Sequence, residues 1–190
     1  MLGGEGIIVE IDESKFGKRK YNRGHRVDGQ WIVGGFERGT GRLFLVAVEN
    51  RTKETLLSVI KQWVKPGTTI YTDYWKSYDC LGDEGFHHLK VNHSINFVDP
   101  VSGAHTNSIE GSWRHAKQFI PQYSRKKKNY PGYLAHYLYL KSCKAKKLDP
   151  FEKFLEIISN VTFNSTSVAE ADENSEADTD SEFDTSSDEE

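Results

Sequence analysis

The sequence predicts an α/β domain in which a mixed five-stranded sheet is flanked by helices. An aliphatic run opens the chain, and the turn Gly39-Thr40-Gly41 separates two further runs that have strand-like composition. After that hairpin, segments with helical spacing of apolar residues alternate with short aliphatic segments. A hairpin followed by alternating helices and strands is typical of a mixed sheet covered by helices.

The first three strands are predicted before residue 50. Residues 6–12 read Gly-Ile-Ile-Val-Glu-Ile-Asp, which indicates a mostly buried strand that ends at Asp12. A basic loop containing glycine follows. Residues 31–36 and 42–48 are the next two strands, and the short turn between them predicts that they are antiparallel.

The rest of the chain alternates between helices and short strands. The predicted helices and strands are 52–64 (helix), 69–72 (strand), 74–81 (short helix), 89–92 (strand), a helix that opens around 106–108, 133–146 (helix) and a last helix that begins at Asp149-Pro150. In that last helix, apolar residues that share one face are expected to point inward: Phe151, Phe154, Leu155 and Ile158. The whole order fits an RNase H-like domain.

Charge divides the chain into two parts. Eleven of the 28 acidic residues lie in residues 165–190, a segment without Lys or Arg, so the remaining 17 acids face 25 basic residues. We expect residues 165–190 to form a disordered acidic tail, because they contain too little apolar surface to offset their ordering entropy. The folded domain is then residues 6–160, and its net charge near +8 favours a polyanionic partner or simply gives a solvated basic surface.

Composition also excludes several classes of protein. Cys80 and Cys143 make neither a disulfide framework nor a zinc-binding pair, so a reducing compartment is expected. No apolar run approaches the length of a transmembrane helix, and the first residues do not resemble a signal peptide. We therefore expect no membrane partner.

Three acidic residues are the candidates for catalysis. Asp12 and Asp73 are each expected at the end of a strand, where ligand-binding side chains of α/β sheets gather, and Glu110 lies in the first turn of a helix. Carboxylates without clustered Cys or His select Mg²⁺ or Mn²⁺. Alternatives remain open, because each aspartate can be a turn residue or helix cap, and Asn107-Ser108-Ile109-Glu110 has nearly the form of a capping box.

The chain resembles the ISXO2-like transposase domain of the IS1595 superfamily, and within it the Merlin branch of DDE transposases. The resemblance covers about residues 6–144, and the 36 residues between Asp73 and Glu110 are typical of that branch. The segments that carry it are Val9-Glu10-Ile11-Asp12-Glu13-Ser14 with the Gly-Lys-Arg-Lys loop from Gly17, Tyr71-Thr72-Asp73-Tyr74-Trp75-Lys76-Ser77-Tyr78, Val91-Asn92-His93-Ser94, and His105-Thr106-Asn107-Ser108-Ile109-Glu110-Gly111-Ser112-Trp113 with Lys117 behind it.

The resemblance implies a metal-dependent enzyme that cleaves and transfers DNA strands. Asp12, Asp73 and Glu110 would be the metal ligands, with Asn107 as a second-choice ligand or a neighbour that orients water or substrate. The residues expected to contact DNA are Lys117, Asn107, His105, Lys18, Arg19 and Lys20. The resemblance also implies a homodimer or larger assembly on DNA, located in the nucleus of a eukaryotic host and otherwise in the cytoplasm.

Two other interpretations remain. Members of this family usually carry a DNA-binding or zinc-ribbon region before the catalytic core, whereas only five residues precede the first predicted strand here. A domesticated, transposase-derived DNA-binding protein without transposition activity is therefore the alternative. A module that only binds other proteins is less favoured, because it leaves the three acidic residues unexplained.

Overall fold

A computed structural model describes residues 1–17, 29–91, 105–121 and 126–166, with side chains described through residue 161. Lys18, Arg19, Lys20 and the acidic tail beyond residue 166 lie outside the described residues. The strands are β1 (Ile8–Phe16), β2 (Gln30–Glu37), β3 (Leu43–Val48), β4 (Thr69–Asp73) and β5 (His87–Val91). The α-helices are α1 (Lys53–Trp63), α2 (Asn107–Phe119), α3 (Tyr130–Lys146) and α4 (Pro150–Thr166).

The five strands form one mixed sheet in the order β3-β2-β1-β4-β5. β2 is antiparallel to both β1 and β3, whereas β4 is parallel to β1 and β5 is parallel to β4. Gly39 and Gly41 have φ values of 82° and 69°, which L side chains rarely adopt, and they allow the tight turn between β2 and β3. This arrangement confirms the predicted RNase H-like fold.

The alternating side chains of the sheet contribute to two separate cores. On one face, Val9 and Ile11 of β1 pack with Leu56 and Ile60 of α1. On the opposite face, Ile32 packs with residues of α2 and α3, including Trp113 and Leu134. Glu10, Asp12 and Ser14 alternate with the aliphatic residues of β1, so they lie on the face that α2 covers.

Two elements differ clearly from the sequence-based expectation. β1 continues through Asp12 to Phe16, because β2 pairs with it over that whole length and keeps it extended. The expected helix over 74–81 is instead a single 3₁₀ turn, Lys76–Tyr78, and a second one, Gly82–Glu84, follows it. Trp75 is held extended where its backbone N–H donates to Asp73 Oδ1, so no helix begins before Lys76.

The chain divides into two compact units, Met1–Lys146 and Lys147–Glu190. In the second unit, α4 begins as expected, because Asp149 Oδ1 accepts hydrogen bonds from the N–H groups of Phe151 and Glu152. The prediction that Phe151, Phe154, Leu155 and Ile158 point inward is wrong, since these side chains are 44–68% exposed. Helical spacing identifies residues that share a face, but it does not show whether another element covers that face. No helix among the described residues is long and apolar enough for a transmembrane span.

Candidate active site

Asp12 and Asp73 lie side by side on the face of the sheet that α2 covers. β1 and β4 are parallel, and Glu10 pairs with Tyr71. Asp12 and Asp73 each follow by two residues, so they share one level and one face of the sheet. The negative charge of Asp73 is the smallest of the causes that raise the pKa of Asp12.

The environment of Asp12 opposes its ionisation. Burial raises the pKa of Asp12 to about 7; the indole N–H of Trp113 and the Glu13 N–H oppose that rise, whereas the charges of Glu13 and Asp73 add to it. Oδ2 accepts from Trp113 Nε1 at 2.7 Å, and Oδ1 accepts from the Glu13 N–H at 2.8 Å. Each oxygen keeps further acceptor capacity, so the pair of aspartates fits a divalent cation in both charge and donor chemistry.

Asp73 also forms the turn that the alternative interpretation expects. Its Oδ1 accepts from the Trp75 N–H at 3.2 Å, which is the pattern of an aspartate that bonds to the backbone two residues later. That bond occupies one oxygen. The turn and a ligand role are therefore compatible.

Glu110 is an exposed residue in the first turn of α2. The helix begins at Asn107 with Thr106 at the N-cap, and Thr106 makes no side-chain capping bond to the backbone. Thr106 Oγ1 donates to Glu110 Oε1 in a long hydrogen bond of 3.5 Å. A capping box formed by Asn107 and Glu110 would need Asn107 at the N-cap, so the start of the helix does not match it.

The described residues contain no group of three or more His, Cys, Asp or Glu side chains placed to hold a metal ion. The structure thus brings Asp12 and Asp73 together but does not gather Glu110 with them into one such group.

A buried carboxylate on β1 fixes the start of α2. Glu10 is fully buried, and its Oε2 accepts from the N–H groups of Ser108 and Ile109 at 2.9 and 3.0 Å. Its Oε1 accepts from Arg38 Nε at 2.7 Å and from the Ser108 hydroxyl at 3.0 Å. Glu10 therefore satisfies helix donors that a capping side chain usually serves, and its charge is favourable at a helix N-terminus.

From that start, α2 runs along β1. Trp113 reaches Asp12, and Lys117 Nζ donates to Ser14 Oγ at 2.8 Å. Gly34 on β2 pairs with Asp12, and a Cβ there would lie 2.5 Å from Trp113 Cη2. The absence of a side chain at Gly34 thus creates the space in which the indole reaches the carboxylate.

Of the other residues predicted to contact DNA, Asn107 and Lys117 belong to this helix and His105 lies just before it, whereas Lys18, Arg19 and Lys20 are outside the described residues. Asn107 is an exposed residue at the start of α2, and Lys117 lies one turn after Trp113 with its Nζ 5.3 Å from the centroid of the Phe16 ring. His105 precedes the helix; its carbonyl accepts from Arg38, and its Nδ1 lies 3.5 Å from Glu10 Oε1.

Sequence reasoning missed the roles of the two glutamates beside Asp12. Glu10 was visible only as an acidic residue inside an aliphatic run, and that position in a buried strand is the signal that identifies it. Glu13 is 3% exposed and accepts from the Tyr78 hydroxyl at 2.5 Å and from Arg51 at 3.2 Å. Nothing in the local sequence indicates these distant partners.

The comparisons with known proteins agree with the predicted family. The model of the ISXO2-like transposase domain matches residues 1–139. An uncharacterized transposase-like protein of Haemophilus influenzae is 35% identical over 103 residues, which are 54% of this chain and 77% of that protein.

Solved structures of viral integrase cores are also similar. The catalytic core domain of HTLV-2 integrase, in complex with magnesium in its dimeric form, is 12% identical with a TM-score of 0.49, covering 73% of this chain and 86% of that one. The trimeric form is 14% identical with a TM-score of 0.45, covering 70% and 82%.

Proposed function

This chain belongs to the ISXO2-like transposase domain family, and we propose that it cleaves and transfers DNA strands in a metal-dependent reaction. The observation that carries the proposal is the placement of Asp12 and Asp73, each two residues beyond the paired Glu10 and Tyr71, on one face of the sheet, where burial raises the pKa of Asp12 to about 7. Two neighbouring carboxylates in a partly buried place are unfavourable without a cation, and such pairs are concentrated at functional sites.

Asp12 and Asp73 would hold Mg²⁺ or Mn²⁺, with Glu110 as the third ligand. When bound, the metal would activate a water or 3′-hydroxyl and stabilise the leaving oxygen of the phosphodiester. The protein's own side chains prepare the ligands: the Trp113 indole orients Asp12, and Glu10 fixes the start of the helix that carries Glu110.

The basic residues would position the DNA. Lys117, beside Ser14, is on the same side of the sheet as Asp12, and a cation there suits a phosphate. The same role is proposed for the others predicted from sequence: Asn107, His105, Lys18, Arg19 and Lys20. A second copy of the chain is the proposed protein partner.

The test is DNA nicking and strand joining by the purified chain with Mg²⁺ or Mn²⁺, and with EDTA as the metal-free control. Asp73→Asn removes a charged ligand at constant size, so it should abolish nicking while DNA binding is kept. Asp83→Asn makes the same chemical change at an exposed residue outside the site and should behave as wild type.

Nicking by Asp73→Asn within a few-fold of wild type would contradict the assignment of Asp73. A wild-type chain that binds DNA but never nicks it, at any concentration of either metal, would leave the transposase-derived DNA-binding protein as the function.

A further inference from the structure

A stack of aromatic and cationic side chains lies next to Asp73. The guanidinium carbon of Arg51 is 4.4 Å from the ring centroid of Trp31 and 4.4 Å from that of Trp75. Trp75 follows Asp73 by two residues, and the backbone N–H of Trp75 donates to the Asp73 carboxylate. One of the proposed metal ligands is therefore tied directly to the end of this stack.

The buried carboxylate of Glu13 holds Arg51, the central side chain of the stack, in place. Arg51 Nη1 donates to Glu13 Oε1, and Glu13 is 3% exposed and also accepts from the fully buried Tyr78. Because Arg51 is fixed by Glu13 and by Trp31, it offers Trp75 a rigid cationic surface. The indole of Trp75 is thus oriented before any ligand arrives.

Neither aromatic residue of this loop belongs to a core. Trp75 is 40% exposed and Tyr74 is 65% exposed, and both lie outside the apolar clusters of the sheet. Tyr74 also has a cation near its ring, since Lys90 Nζ is 5.3 Å from the centroid. Exposed aromatic rings combined with cations are the composition of surfaces that bind single-stranded nucleic acid.

We propose that Trp75, with Tyr74 beside it, stacks on an unpaired base of the DNA strand held at Asp12 and Asp73. The inference rests on the proposed function, because it takes DNA as the substrate. Every base has a π-face that can stack on an indole, but in a duplex the neighbouring base pairs cover both faces. The site therefore selects a strand whose base has left the duplex.

The experiment measures the affinity of the full chain for a fluorescein-labelled single strand of about 12 nucleotides, a length within the range of single-strand sites. A blunt duplex of the same sequence is measured in parallel, and EDTA prevents cleavage of either probe. The variants are Trp75→Ala, Tyr74→Ala and Trp75→Phe. Trp63→Ala is the matched control, because Trp63, at the end of α1, is similarly exposed (37%) and its ring stacks on Phe44 of β3, not on the side chains beside Asp73.

Trp75→Ala should weaken binding of the single strand roughly 5- to 150-fold, the loss expected for one stacked base, and should change duplex affinity less than about two-fold. Tyr74→Ala should cause a smaller loss in the same direction, and Trp75→Phe should retain most of the affinity. The dependence of affinity on salt should keep its slope, because stacking releases no counterions.

The proposal is overturned if Trp75→Ala and Trp63→Ala weaken binding equally, if the duplex is affected as much as the single strand, or if the wild-type chain binds no single strand. These results are separable from the fate of the proposed function. A chain that nicks DNA through Asp73 but binds single strands equally well without Trp75 retains the function and loses the base site. A chain that binds single strands through Trp75 but never nicks DNA retains the base site alone.

Discussion

Replacing Glu10 by glutamine perturbs the start of α2 without changing the volume of the buried side chain. Glu10 carries a negative charge that meets Arg38 and two backbone N–H groups of the helix. Glutamine keeps one acceptor oxygen, but it loses the charge and turns an amide NH₂ toward groups that are themselves donors. Charge-assisted hydrogen bonds are about twice as strong as neutral ones, so several bonds weaken together.

The expected loss in the free energy of unfolding is about 2–3 kcal/mol for Glu10→Gln, because removal of one partner from a buried ion pair costs about 3–5 kcal/mol and glutamine retains part of the bonding. A domain with a stability of about 5–15 kcal/mol remains folded after such a loss. If the helix start moves by about 1 Å, Glu110 moves with it, and nicking should fall by roughly 100-fold.

Urea unfolding measures the first effect, and nicking activity per folded molecule, titrated with Mg²⁺, measures the second. Glu37→Gln is the matched control, since Glu37 is also buried and paired with an arginine, Arg42, but it accepts from groups of the hairpin and of the N-terminus. Both variants should lose stability, and only Glu10→Gln should need more Mg²⁺ for half-maximal activity. Equal activity of the two variants per folded molecule would refute a positioning role for Glu10.

Three further predictions concern packing, pH and the tail. Gly34→Ala should lower the free energy of unfolding by about 1–3 kcal/mol, because the new Cβ would lie 2.5 Å from Trp113. Gly111→Ala adds a Cβ in open space on α2 and should raise the free energy of unfolding by up to about 1 kcal/mol; urea unfolding measures both changes. Burial opposes ionisation of Glu37, but hydrogen bonds from Arg42, Thr40 and Gly3 outweigh the effect of burial and hold the pKa of Glu37 below its ordinary 4.5. The ionised carboxylate therefore stabilises the fold above that pH, and its contribution is lost as the pH falls. Glu37→Gln should reduce the loss of stability measured on the acid side. Deletion of residues 165–190, with their eleven acids, should tighten DNA binding most at low salt, and superimposable salt titrations would show that the tail has no electrostatic role.

The strands and most helices could be predicted because their signals are local. The aliphatic run of β1, the glycine turn before β3 and the apolar spacing of α2 each depend on residues within one element. In α2, Ile109, Trp113 and Ala116 recur at helical spacing, and all three are buried. The length of β1 was underestimated because it depends on pairing with β2, and the exposure of α4 was missed because burial depends on what covers a helix.

In the candidate site, the contacts that sequence could not predict join residues that are far apart in the chain. Asp12 and Asp73 could be singled out by their position in or near strands, and their closeness follows from the parallel pairing of β1 with β4. The contact between Trp113 and Asp12 joins residues 101 positions apart, and it depends on the missing side chain at Gly34. The cap that Glu10 provides for α2 spans 98 positions, so no local pattern could have revealed it.

Glu10 anchors α2 to β1 at Ser108 and Ile109, and the same helix reaches Asp12 through Trp113 and Ser14 through Lys117. The register of β1 therefore sets the height of Glu110 above the sheet. A slip of one residue within residues 10–14 would turn both Glu10 and Asp12 away from α2. The anchor of the helix and the position of Asp12 would then be lost together.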